Sequence, residues 1–79
     1  MYLCIGGFLP DSAEDDSLKF ELDLDDSFND EIVQLLGYRS LNAMAEGEWL
    51  LATEQAAQIS KIIGQSLPTH LKLFIGIEA

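Results

Sequence analysis

The spacing of apolar and polar positions changes several times along this chain, and each period predicts an element. Residues 18–24 alternate cleanly, with Leu18, Phe20, Leu22 and Leu24 on one face and Lys19, Glu21 and Asp23 on the other. A two-residue period puts one face in a core and the other in water, as in a strand of an antiparallel sheet. Residues 2–9 are apolar throughout and run into Pro10. That run predicts a strand buried on both faces, with Gly6 and Gly7 marking a bulge or a close backbone approach. The polar segment between these two strands reads as a hairpin loop.

The period then becomes helical. Phe28, Ile32, Leu35 and Leu36 fall on one stripe, the spacing of an amphipathic helix. Ser27 is the candidate N-cap, Asp30 and Glu31 suit the positive end of the helix dipole, and Gly37 stands where a left-handed C′ residue is expected. In residues 38–47 no period dominates: either Ser40 caps one short helical turn ending at Gly47, or the segment is loop. Residues 48–52 predict a further strand. Thr53 is the candidate cap of a second helix, with Ala56, Ile59, Ile62 and Ile63 facing the core and Gly64 ending it. In the last strand Leu71, Leu73, Ile75 and Ile77 oppose Lys72, Phe74, Gly76 and Glu78.

The order β-β-α-β-α-β with amphipathic helices and one-sided strands predicts an α+β fold. It is a two-layer sandwich of about four mostly antiparallel strands with two helices on one face. At 79 residues the chain makes a single domain, residues 1–79, since chains divide only at about 250–300 residues. The uncovered sheet face is expected to carry Lys19, Glu21, Asp23, Lys72, Phe74 and Glu78, beside the acidic hairpin.

Charge sharpens that picture. The sequence holds 14 acids against 4 bases, a net charge of −10. Residues 1–38 contribute ten of the acids and one base, so nearly all the excess lies in one half of a small domain. Such self-repulsion costs stability. It excludes a simple nucleic-acid or anionic-membrane binder and favours a basic partner. A generic solubilising surface is the plainer alternative.

Catalysis and metal binding find little support. His70 is the only histidine and Cys4 the only cysteine, so a disulfide framework and a cysteine zinc site are excluded. Cys4 lies between Leu3 and Ile5 and reads as a small core residue. A calcium loop starting at Asp23 places Phe28 and Gln34 where glycine and glutamate are required, and one starting at Asp11 places Asp16 and Leu22 there. Gly6-Gly7 fits no phosphate loop. The expectation is no enzyme, no cofactor and no metal. Met1–Pro10 has no basic n-region, and its apolar run is broken by glycines, so a soluble cytoplasmic protein is expected.

Binding is the function that remains. Asp11, Glu14, Asp15 and Asp16 fall on the loop, Glu21 and Asp23 project from a rigid strand, and Asp25 follows it. Exposed ion pairs add only about 0–1 kcal/mol each, so affinity needs anchors of the hot-spot types: Tyr38, Arg39, Trp49 and Phe74. Core packing accounts for Tyr38 and Trp49, whereas alternation sets Phe74 on the open face.

Phe20-Glu-Leu-Asp-Leu, the helix ending at Gly37, Trp49-Leu-Leu-Ala-Thr-Glu-Gln-Ala-Ala and Gly64 together resemble small bacterial immunity proteins. These accompany polymorphic and contact-dependent growth inhibition toxins, and the likeness in size, acidity and element order spans residues 18–77. The resemblance implies a cytoplasmic inhibitor that binds one cognate toxin domain, often a basic nuclease, and blocks its active site or a nearby surface; separately, the free chain is expected to be a monomer. The rival expectations are a phage or plasmid nucleic-acid mimic and a dimerising adaptor that pairs through a sheet edge.

Overall fold

A computed structural model of the chain describes residues 1–10, 17–44 and 47–78. Four strands form one sheet: β1 (Tyr2–Phe8), β2 (Phe20–Asp23), β3 (Trp49–Leu50) and β4 (Lys72–Glu78). Two helices, α1 (Asn29–Leu35) and α2 (Thr53–Ile63), connect them in the predicted order, with short 3₁₀ turns at Asp26–Phe28 and Asn42–Met44. All three pairings are antiparallel and the spatial order is β2-β1-β4-β3. The first and last strands thus lie side by side at the centre of the sheet.

The register divides the side chains between two faces. Ile5 lies between Leu22 and Ile75, Leu3 opposite Ile77, and Trp49 opposite Ile75. These residues meet Ile32 and Val33 of α1 and Ala56 and Ile59 of α2 in one core. Leu3, Ile5, Ile32, Met44, Ile59 and Ile75 have essentially no exposure; each such side chain contributes ~1.5–3 kcal/mol by leaving water. Both helices therefore cover the same face, and the expected two-layer α+β sandwich is the structure.

Several local expectations need correction. β1 is not buried on both faces; its burial alternates, with Leu3, Ile5 and Gly7 in the core. An apolar run with no period conceals this, and Cys4 consequently belongs to the opposite face, half-buried, rather than to the core. There is no bulge at the glycines, because Gly6 and Gly7 keep continuous register with both neighbours. Gly7 is instead a close approach: a Cβ there would sit 3.0 Å from Leu71 Cδ1, 3.1 Å from Phe20 Cβ and 3.2 Å from Leu73 Cδ2. β2 begins only at Phe20, so Leu18 escapes the alternation and lies exposed against Gly6 on the uncovered face.

The caps also differ. Asp25, not Ser27, accepts from the Ser27 N–H at 2.9 Å and opens a 3₁₀ turn before the short α1. Ala52 occupies the N-cap of α2 and Thr53 its first helical position; Gln55 Oε1 accepts from the Ala52 N–H at 2.9 Å. Gly37 and Gly64 do end the helices with φ of 84° and 69°, conformations that glycine adopts without a Cβ penalty. Ser40 Oγ accepts from the Ala43 N–H at 3.3 Å, the capped-turn alternative for that segment. Tyr38 and Trp49 pack against the core with ring centroids 5.3 Å apart, and the indole N–H donates to the Met44 carbonyl at 3.2 Å.

Candidate partner-binding face

The face not covered by helices is built by the other half of each strand's alternation. Across the sheet, Cys4 lies between Asp23 and Gly76, Gly6 between Glu21 and Phe74, and Phe8 opposite Lys72. Tyr2 pairs with Glu78, and Leu50 of β3 pairs with Phe74. Of the residues predicted here, Glu21, Asp23, Lys72, Phe74 and Glu78 do share the face, whereas Lys19 lies ahead of β2, its backbone N–H donating to the Gly7 carbonyl at 2.8 Å. Sequence reasoning missed Tyr2, Cys4, Phe8, Leu18 and Leu50, which join them through non-local pairing.

The face has two chemical halves. One is apolar: the Phe8 and Phe74 rings meet edge to face, 5.9 Å apart at 77°, beside Leu18 and Leu50, which are 46% and 57% exposed. Lys72 Nζ stands 5.8 Å from the Phe74 ring centroid, in reach of a cation–π contact. The other half is acidic, with Glu21, Asp23 and Glu78 surrounding Tyr2 and Cys4. Their field is registered by those two groups. Burial first, then hydrogen bonding to Asp23 and the charges of Asp23, Glu21 and Glu78, push the Cys4 thiol up to about 12. The Tyr2 phenol is also raised, chiefly by Asp23, then by burial and by Glu78. Cys4 is therefore a neutral thiol near pH 7, unsuited to act as a nucleophile.

Between the halves, over Gly6 and Gly76, the face is hollowed into a groove of about 390 Å³ whose rim includes Glu21, Glu48 and Glu78 and whose wall includes Phe8 and Leu18. A more open depression of about 750 Å³ lies at the sheet end between Met1, Tyr2 and Asp23–Asp26. Asp25 lines that depression with its carboxylate engaged as the 3₁₀ cap, and the Ser27 backbone N–H holds its pKa below the ordinary carboxylate value. Asp11, Glu14, Asp15 and Asp16, also expected to contact a partner, lie outside the described residues.

Among the described residues, no group of three or more His, Cys, Asp and Glu side chains converges to hold a metal ion. His70 is exposed in the turn before β4. No described helix is long and apolar enough to cross a membrane. No family model, curated protein or solved structure matches the chain.

Proposed function

We propose that this chain is a cytoplasmic, non-catalytic binding protein that neutralises a basic protein partner, in the manner of a toxin immunity protein. The observation that carries this reading is the composition of the uncovered sheet face. It combines aromatic anchors (Phe8, Phe74) with carboxylates on rigid strands (Glu21, Asp23, Glu78). Carboxylates of this kind steer a basic partner to a high on-rate. The aromatic half supplies the desolvated contact from which affinity comes. A nuclease surface, basic because it binds phosphates, fits this chemistry well.

Face-to-face association of two copies would bury the carboxylates of Glu21, Asp23 and Glu78 from both with one lysine of the face, Lys72, on each, and unpaired charges in an interface are penalised. The free protein is therefore read as a monomer. A tagged chain should retain a single basic protein as salt is raised, identified by mass spectrometry. A spread of basic proteins that all wash off near physiological salt would make the acidity a surface property and remove the reading.

A further inference from the structure

We propose that the groove over Gly6 and Gly76 is the seat for one arginine side chain of the partner, with the guanidinium held by the rim carboxylates. This rests on the reading of the uncovered face as a surface for a basic protein, and it names the chemical group that the groove takes.

Gly6 and Gly76 are diagonal neighbours on the central strand pair, since Gly6 opposes Phe74 and Gly76 opposes Cys4. Glycine inside a strand weakens it, by lost packing and backbone entropy. Placing two together at the centre of a sheet opens a trough in a surface that side chains otherwise fill. At both positions side-chain atoms come nearest, while the backbone oxygens of Phe20 and Gly47 stand farther off, at 4.0 and 3.9 Å. A Cβ at Gly6 would meet Leu18 Cδ1 at 3.2 Å, and one at Gly76 would meet Glu48 Cγ at 3.2 Å. The closest bounds of the space are thus side chains that belong to the groove itself, Leu18 apolar and Glu48 acidic.

The lining matches an elongated cation with an apolar stem. Phe8 and Leu18 provide apolar walls, and Glu21, Glu48 and Glu78 provide charge at the rim. The carboxylates do not converge as metal ligands do, so a point ion is poorly served, whereas a forked, planar group can bridge separated carboxylates. Guanidinium presents five donors in that form, is weakly hydrated and stacks on aromatic rings. A lysine ammonium needs full hydration or close convergent ligands and fits less well. The volume lies within the ~300–1,000 Å³ typical of small-ligand sites.

The test is an NMR titration of the full chain with N-acetyl-arginine amide and, separately, N-acetyl-lysine amide. Arginine should give saturable amide shifts centred on Gly6, Gly76 and Glu48, and lysine should bind more weakly at the same place. Gly76→Ala fills the trough without changing charge and should abolish the saturable shifts. Glu48→Gln keeps the shape and should weaken arginine about tenfold, the loss of one charge-assisted hydrogen bond. Unsaturable shifts spread over Asp25, Asp30, Glu31 and Glu54, or arginine binding unchanged in both variants, would overturn the proposal. The wider reading fails separately: capture of a basic protein that survives Glu21→Lys/Asp23→Lys removes the acidic-face function, whatever the groove binds.

Discussion

The same strands present two faces that obey different rules. Towards the helices, Leu3, Ile5, Leu73 and Ile75 are closed in by α1 and α2 to a few per cent exposure or less. On the other side, one residue along in each strand, Cys4, Gly6, Phe74 and Gly76 are only half-buried beside exposed Glu21, Asp23 and Glu78. A face meant only for water would be polar throughout. This one keeps two aromatic rings, paired with each other, and two exposed leucines next to its carboxylates, a mixture that costs solubility. The helix-covered face answers to folding; under the proposed function, the open face answers to a partner.

Substitutions that cross from one face to the other should separate the two roles. The largest stability effect belongs to the core: Ile75→Ala should lose ~2–5 kcal/mol, a large part of the ~5–15 kcal/mol available to a domain, measured by urea denaturation. Its neighbour Phe74→Ala should lose about 2 kcal/mol, roughly 1 from the aromatic pair and a similar amount from its half-buried ring, while shortening the lifetime of the partner complex. If Phe74→Ala unfolds the protein as readily as Ile75→Ala, the faces are not distinct.

The adjacent glycines give a finer comparison. Gly7→Ala forces a Cβ against Leu71, Phe20 and Leu73 on the core side and should cost ~1–3 kcal/mol by overpacking. Gly6→Ala meets the tip of Leu18, 46% exposed and able to turn aside, and should leave the denaturation midpoint nearly unchanged.

A smaller and more local effect concerns Cys4. Its pKa is raised in the fold, so its contribution to stability is complete below about pH 9, the ordinary thiol value, and is lost as pH rises towards about 12. Asp23→Asn removes the charge that favours the neutral thiol and leaves only a weaker, uncharged acceptor for its S–H. The rate of reaction with a thiolate-specific disulfide reagent, followed against pH, should therefore rise at lower pH in the variant than in the parent. Identical profiles would mean that Asp23 takes no part in setting the thiol.

Much of the fold is legible in the sequence because it is local. The alternation of Phe20 to Asp23 and of Lys72 to Glu78, the apolar stripes of the helices and the glycines at 37 and 64 all reflect neighbours a few residues apart. The misread positions depend on pairing across the chain. β1 and β4 meet at the centre although they are the two ends of the sequence, and only that pairing brings Cys4 to Gly76 and Gly6 to Phe74. Cys4 was unreadable for a second reason: in a run with no polar member, period two leaves no trace. Glu48 carries no motif, and it reaches the groove only because the approach to β3 passes beside Gly76. Glu21, Asp23 and Phe74 could be placed because alternation alone fixes their side of a strand.

The most direct measurement sets charge against position. Two variants with equal charge change are compared for capture of the basic partner at physiological salt: Phe74→Ala/Glu21→Lys/Asp23→Lys on the open face, and Asp30→Lys/Glu54→Lys on the helices. If the open face is the docking surface, the helix variant retains the partner as the parent does and the sheet variant releases it. Equal retention by both, or equal loss from both, would contradict that assignment and leave only the net charge to explain the binding.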